Sequence, residues 1–444
     1  MARLFGTDGI RGIAGIDLTS ELVMKIGIGT ASVLTKDKDD VKIIIGNDGR
    51  ESSDMLVSSI CAGLTSVGVD VIDVGMIVTP AISYLVKYYN YDAGIMITAS
   101  HNSYEYNGIK IFDSNGYKLE DALEDEIEDY VINDKKKEST KIGRITKCTS
   151  GIDAYIDHLV ASSDSDMSHL HIAVDASNGG ASVTSSKLLD RLGIKYDIIN
   201  CTPNGRNIND KCGALHIEKL GNYVVKNKLD GGVAFDGDGD RAIFVDENGK
   251  VIDGDYVLAI LGLELKNNNK LNNNTVVGTV MTNLGLIKFC EDNNINFIAT
   301  KVGDRYVLEE MTTNNLSLGG EQSGHIIIKD YMNTGDGQLT MIKIFNVLSK
   351  SKKKFSKLAS IMKKYPQVTE NVKVNPIYKN EFYTNEEIKN IISNISDKII
   401  NRGRVVVRPS GTEALVRVMI EGEDTLEIDS YVKEIAKVIE RELN

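Results

Sequence analysis

The 444-residue sequence has only five cysteines, Cys61, Cys148, Cys201, Cys212 and Cys290, widely spaced and without a C-x-x-C pair. An odd, scattered set excludes a disulfide framework and a cysteine zinc site and predicts reduced thiols. Long apolar runs are missing as well: nothing approaches the ~18 apolar residues of a membrane span. The opening MARLFGTDGIRG has glycine and charge where a signal peptide needs an apolar stretch. The expectation is a cytoplasmic protein with no membrane partner. Positive charge is also in short supply, 51 Lys and Arg against 63 Asp and Glu, for a formal net charge of −12. Such a chain has no global attraction for nucleic acid or an anionic membrane, although a local basic pocket can still hold a small anion.

What is present is ordinary for a globular protein. Hydrophobic residues at 42% with charged residues at 26% exclude disordered, collagen-like and coiled-coil chains, and the length alone allows about three domains of ~150 residues. Short Ile- and Val-rich runs alternate with longer amphipathic stretches, as in βαβ units with buried parallel strands. Lys42 to Ile45, a helix over Ser53 to Val67 and Val69 to Val74 form one such unit; His171 to Val174, Gly231 to Phe235, Val276 to Val280 and Asn296 to Ala299 repeat the strand pattern. Seams are expected at Asp134 to Lys141, around Ile252 to Tyr256, and from Lys350 through Lys357 to Pro366. The asparagine-rich tract Lys266 to Thr275 is expected to be a surface helix-to-strand connection. After Pro366 the pattern becomes that of a smaller α+β unit, with helices near Asn385 to Ile400 and Thr425 to Glu442.

Four apolar runs end in polar, glycine-containing loops, and ligands of open α/β sheets bind at the carboxyl ends of strands. The first, Gly94 to Asn102, delivers Ser100 and His101; a serine there needs a base, a metal or prior phosphorylation to take part in group transfer. It has no G-x-S-x-G elbow, so an acyl-transfer triad is not expected. The second, Phe235-Asp-Gly-Asp-Gly-Asp-Arg241, carries Asp236, Asp238 and Asp240 at alternating positions and suits a hard divalent cation. A calcium hand would also match Ile243 and Glu247. It needs glycine where Arg241 stands, however, and a helix where a strand precedes, so magnesium at a strand end fits better. The third, Leu318 to His325, gathers Glu321, Gln322, Ser323 and His325 on a glycine-rich backbone able to hydrogen-bond sugar hydroxyls. The fourth, Arg408-Pro-Ser-Gly-Thr-Glu413, offers a guanidinium with the Ser410 and Thr412 hydroxyls and the Gly411 amide for a phosphate. A bare turn is the alternative for each loop. Arg11, Arg50, Lys110 and Arg305 lie in or beside similar segments.

Taken together and in order, these motifs resemble the α-D-phosphohexomutase family end to end: Phe5 to Gly12 (FGTDGIRG), TASHN, Asn107 to Phe112 (NGIKIF), DGDGDR, Val302 to Val307 (VGDRYV), GGEQSGH, Thr334 to Gly337 (TGDG) and RPSGTE. GEQSGH with Gln322 is similar to the glucosamine-phosphate members, whereas the mannose- and glucose-phosphate members usually carry GEMSGH. DGDGD differs from their usual DGDAD. The resemblance implies an α/β fold with three tandem α/β domains with mixed sheets, plus a smaller C-terminal α+β domain, around a central active-site cleft. It divides the chain at 1–150 (phosphoserine loop), 151–251 (metal loop), 252–365 (sugar loop) and 366–444 (phosphate loop).

The same resemblance implies interconversion of glucosamine 6-phosphate and glucosamine 1-phosphate, feeding UDP-N-acetylglucosamine synthesis. The route would run through a phosphoserine at Ser100 and a bisphosphorylated sugar. It implies one Mg2+ held by Asp236, Asp238, Asp240 and Ser100, and glucosamine 1,6-bisphosphate or another source of the Ser100 phosphate. His101 and Lys110 would serve catalysis. Arg11, Gly303, Asp304, Arg305, Glu321, Ser323 and His325 would face the sugar phosphate, and Arg408, Ser410, Gly411, Thr412 and Arg417 would hold the phosphate that is not reacting. A hexosamine phosphate is then the partner, and the family likeness suggests a homodimer. Asn47, Ser103 and Ala414 depart from the usual pattern without touching these roles. The alternatives are a mannose- or glucose-phosphate mutase of the same family and a non-catalytic sugar-phosphate sensor; a sensor would be expected to lose Ser100, Lys110 or a metal aspartate, and all are present.

Overall fold

The computed structural model describes residues 4–6, 8–36, 38, 40–135, 137–410 and 414–444. The first sheet has six strands in the order Ile10–Ile13, Tyr106–Asp113, Ala93–Ile97, Lys42–Asn47, Asp70–Met76 and Ile145–Lys147. Its centre is parallel, and Tyr106–Asp113 runs antiparallel between Ala93–Ile97 and Ile10–Ile13. The second sheet runs Val251–Ile252, Ala242–Asp246, Gly231–Phe235, His171–Asp175, Lys195–Ile199; the third runs Asn296–Thr300, Thr275–Thr279, Leu318–Gly320, Ile326–Ile328. Both combine parallel strands with an antiparallel edge. The last sheet is small and wholly antiparallel, with Leu415–Gly422 between Gln367–Lys373 and Gly403–Pro409. The expected α/β architecture with a smaller C-terminal α+β unit is what the chain forms.

The sequence pattern explains the elements. Ala93–Ile97 and Gly231–Phe235 are buried along their whole length, which is why central strands covered on both faces read as continuous apolar runs rather than alternations. The helix Ser53–Ser66 follows the strand Lys42–Asn47, and Thr425–Glu442 closes the chain, its N-terminus capped by the Asp424 side chain. The asparagine tract does connect a helix ending at Asn267 to a strand beginning at Thr275. All five cysteines are free, and among the described residues no helix is long and apolar enough to cross a membrane.

The core decides what is rigid. One contiguous apolar cluster runs from Ile44 and Ile82 under the first sheet, through Ile172 and Phe244, to Leu318 and Phe345 in the third unit. The C-terminal unit packs a separate cluster of its own, from Val372 to Leu443. Three units thus share an apolar core, while the fourth meets them through other contacts.

Candidate active site

Ser100 sits just past the buried strand Ala93–Ile97, in a left-handed backbone conformation (φ 51°). Three contacts hold it there. Its N–H donates to Thr98 Oγ1 at 2.8 Å, and its carbonyl accepts from Arg50 Nη2 at 2.8 Å and Asn209 Nδ2 at 2.9 Å. Arg50 is buried and paired with Asp48 at 2.9 Å, so the serine loop is fastened from beneath by an ion pair and from the second unit by an amide. The hydroxyl that results is aimed: Ser100 Oγ donates to Asp236 Oδ2 at 2.8 Å and lies 3.3 Å from His101 Nδ1.

Asp236 belongs to the loop after the strand Gly231–Phe235. Gly237 brings this loop against the serine, since a Cβ there would stand 2.6 Å from the Ser100 carbonyl oxygen. Asp236, Asp238 and Asp240 are buried, with one carboxylate oxygen of each within 4.8 Å of the others. Burial, with Asp240 and Asp238 adding to it, pushes Asp236 well above the usual carboxylate range. Burial also opposes charge on Asp240, but Lys110 and His325 hold it well below that range. Asp238 Oδ1 and Asp240 Oδ1 are buried with no hydrogen-bond donor among the described residues. Crowded, buried oxygens left without donors fit a hard divalent cation such as magnesium, which takes oxygen ligands and offsets their repulsion.

Lys110 is the local counter-charge. Its Nζ lies 3.1 Å from Asp8, 3.2 Å from Asp238 and 3.3 Å from Asp240. Burial disfavours its charge, yet these carboxylates lift it well above the ordinary lysine value. His101 goes the other way: burial, then Arg241 and Arg11, lower it to about 4, so it is neutral near pH 7. His325 Nδ1 faces Asp240 at 3.6 Å, while its Nε2 accepts the Gly335 N–H at 3.1 Å. Burial disfavours imidazolium and the Asp240 carboxylate favours it, to about 9. The two observations conflict, because only the neutral ring can accept the Gly335 N–H. The Gly335 N–H needs a lone pair on Nε2, so the hydrogen bond decides for the neutral form with its proton on Nδ1, facing Asp240.

Beside this centre a cavity of about 410 Å³ opens between the first and third units, lined by Asp8, Lys110, Asp240, Asp304, Arg305 and His325 among others. Arg305 is paired with Asp121 across it. Arg11 bonds Asp8 at 3.2 Å and Asn102 at 3.4 Å. Glu321 Oε1 accepts the Gly303 N–H at 3.1 Å, and Ser323 Oγ has no protein partner among the described residues. Arg408 and Arg417 stand directly opposite each other on the C-terminal hairpin, and burial with the neighbouring Arg417 lowers Arg408 below its usual value. Two guanidiniums side by side concentrate positive charge of the kind that grips phosphate oxygens. Ser410 is beside them, while Gly411 and Thr412 lie outside the described residues.

Four models of the phosphoglucomutase/phosphomannomutase family match in chain order: alpha/beta/alpha domain I over residues 2–138, domain II over 153–249, domain III over 253–365 and the C-terminal domain over 346–438. Phosphoglucosamine mutases from Thermoanaerobacter pseudethanolicus and Acetivibrio thermocellus are each 48% identical, with full coverage of both chains. The chain belongs to the phosphoglucomutase/phosphomannomutase family, the α-D-phosphohexomutases. On this full-length likeness it is an enzyme of the mutase class. Solved family structures share the fold: a phosphoglucomutase/phosphomannomutase family protein from Burkholderia thailandensis superposes with a TM-score of 0.84 at 22% identity, covering 100% of this chain and 98% of that one. An Aspergillus fumigatus N-acetylphosphoglucosamine mutase, solved with GlcNAc-6P and magnesium, gives 0.65 at 16%, covering 99% and 96%.

Sequence reasoning missed several residues of this phosphohexomutase site. Thr79 Oγ1 donates to Asp238 Oδ2 at 2.6 Å, Asn209 holds the serine carbonyl, and Asp8 pairs with Lys110. Asp336, bonded by Tyr155 at 2.8 Å, caps the helix Gly337–Ser351, whose first N–H donates to Gly239 of the metal loop at 3.1 Å. Asp8 and Asp336 lie inside quoted motifs and could have been found there. Thr79 and Asn209 carry no motif signal, because distant segments bring them in.

Proposed function

We propose that this enzyme is a phosphoglucosamine mutase, interconverting glucosamine 6-phosphate and glucosamine 1-phosphate through a phosphorylated Ser100 and a glucosamine 1,6-bisphosphate intermediate. The observation that carries the mechanism is the Ser100 hydroxyl, 2.8 Å from Asp236 in a buried three-aspartate cluster beside Lys110. The hexosamine assignment is supported by the 48% identity to phosphoglucosamine mutases and by Gln322.

In the forward transfer the P–Oγ bond of phosphoserine breaks as a P–O bond forms to the free sugar oxygen, and the sugar hydroxyl gives up its proton. His101, neutral and against Ser100 Oγ, is in place to receive it and to pass a proton to Ser100 Oγ as that oxygen leaves phosphorus. Lys110 stays charged and faces the transferring oxygens, where it stabilises negative charge. Asp236, Asp238, Asp240 and an oxygen on Ser100 would hold magnesium, which supplies further charge neutralisation during phosphoryl transfer. Glu321, Ser323 and His325 orient the sugar with Arg11, Gly303, Asp304 and Arg305 around it. Arg408, Ser410 and Arg417, with Gly411 and Thr412, grip the distal phosphate. The bisphosphate then turns over and returns its other phosphoryl group to Ser100. Domains divided at 150/151, 251/252 and 365/366, a homodimer and a cytoplasmic location complete the proposal.

A substrate panel tests it, using protein whose Ser100 phosphorylation has been checked by mass spectrometry. Glucosamine 6-phosphate should turn over fastest. Faster turnover of glucose or mannose phosphate would move the enzyme to another branch of its family.

A further inference from the structure

Gln322 marks the sugar loop, yet its amide is bound to a carboxylate behind that loop. Its Nε2 donates to Asp255 Oδ2 at 3.2 Å, and Asp255, in the first turn of the helix Gly254–Asn267, is fully buried. The loop lies flat on this turn: Gly254 N–H donates to the Gln322 carbonyl at 3.1 Å, and a Cβ at Gly254 would stand 2.0 Å from the Glu321 carbonyl oxygen. Only glycine permits so close an approach.

The far side of the same turn leads to the C-terminal unit. Asp255 Oδ2 also accepts the Asn283 N–H at 2.9 Å. The Asn283 side chain brackets Tyr365 in the connection to the last sheet, accepting its N–H at 2.9 Å and donating to its carbonyl at 3.0 Å. Asn283 Nδ2 also donates to Glu421 Oε1 at 3.0 Å, and Glu421 Oε2 accepts the Leu284 N–H at 3.0 Å. Glu421 pairs across the hairpin with Arg404, which in turn reaches the Thr282 carbonyl, and Lys364 of the connection is bonded to Asp253. Arg404 and Arg408 lie four residues apart on one strand, on the same face and about 13 Å apart. The C-terminal unit has its own apolar core, and these directional polar contacts tie it to the third unit.

We infer that Asp255 is a positioning residue that couples the sugar loop to the phosphate grip, through Gln322 on one side and through Asn283, Glu421 and Arg404 on the other. This deepens the proposed function and rests on its placement of Glu321 and Ser323 at the sugar and of Arg408 and Arg417 at the distal phosphate. Gln322 then matters to the reaction by fixing where the C-terminal unit holds that phosphate. A methionine of similar length would fill the space but leave Asp255 with one donor fewer.

The test compares wild type with Gln322→Met, Glu421→Gln and the double variant, each magnesium-loaded and phosphorylated on Ser100. Hydrogen exchange of the segment 363–372, measured without substrate, should be several-fold faster in Gln322→Met, as expected when a hydrogen bond to a buried neutral carboxyl is lost. Escape of labelled bisphosphate per turnover should rise several-fold in each single variant, and the double variant should be no worse than the poorer single. Asp255→Asn, which keeps an acceptor oxygen, should stay near wild type in both measurements. Additive effects, or a Gln322→Met variant changed only in KM for the sugar phosphate with exchange and escape unaltered, would overturn the coupling. If wild type turns over no hexose phosphate, the proposed function fails while the exchange measurement still decides the coupling.

Discussion

Removing magnesium should lower the melting temperature of the wild-type enzyme, and Asp238→Asn should abolish most of that dependence. When all are ionised, Asp8, Asp236, Asp238 and Asp240 place four negative charges around Lys110, Arg241 and Arg11, so 4 − 3 leaves one uncompensated and the three buried aspartates crowded together. Two carboxylate oxygens within 4.8 Å repel by about 3.5 kcal/mol or more at an effective dielectric constant near 20 when both are charged, and the triad contains three such pairs. A divalent cation offsets this repulsion. At a hundredfold excess over its Kd it would stabilise the folded state by about 2.7 kcal/mol, which for the roughly 365 residues that share the main apolar core, at about 2.1 cal/mol/K per residue, is about 3–4 °C. The assay is thermal melting in magnesium and in EDTA. In Asp238→Asn the magnesium shift should fall by more than half, and the EDTA-treated variant should melt above EDTA-treated wild type because one repelling charge is gone. Equal melting of wild type with and without magnesium, at concentrations that support turnover, would refute the assignment of the cluster as a cation site. So would an Asp238→Asn variant less stable than wild type in EDTA.

Ser100→Ala should fold normally and lose mutase turnover by several orders of magnitude; wild-type-like activity would remove the phosphoserine from the mechanism. Arg408→Ala should raise KM for the sugar phosphate about tenfold or more, as expected when a charged hydrogen-bonding partner of phosphate is lost, while phosphorylation of Ser100 remains chemically possible. Asp255, raised to about 8 by burial and then by Asp253, holds its proton in the folded state at a pH where the unfolded carboxyl, near 3.9, has lost it. Its contribution to stability is therefore full below pH ~4 and declines as pH rises toward 8, at up to about 1.4 kcal/mol per pH unit. Melting of Asp255→Asn relative to wild type should accordingly rise between pH 5 and pH 8, and a flat difference would show that the buried charge costs nothing.

Much of the site was legible because each strand-end loop announces itself locally. Gly231 to Phe235 was readable as a strand and forms one, and the three aspartates that follow need no distant partner to be recognised as crowded. The helix Thr425–Glu442 was equally plain from its periodicity. What stayed hidden is what tertiary contact creates. Nothing in the neighbourhood of Thr79 or Asn209 marks them as supports for Asp238 and Ser100, because the partners lie 159 and 109 residues away. Arg305 was readable as a cation but not as the partner of Asp121.

Gln322 shows why a legible motif need not disclose its mechanism. As a letter in GEQSGH it separates branches of the family. The natural inference from that is contact with the sugar. Its donor instead satisfies Asp255, a buried carboxyl whose other oxygen has no hydrogen-bond partner among the described residues. A buried acceptor is costly to leave unmade, more so when it can be charged, so the identity of residue 322 is constrained from behind the loop. Substrate discrimination and the angle of the phosphate grip are then linked through one amide. Neither the composition of the loop nor the net charge of −12 carries that information, because both describe residues singly and the link exists only in the pairing.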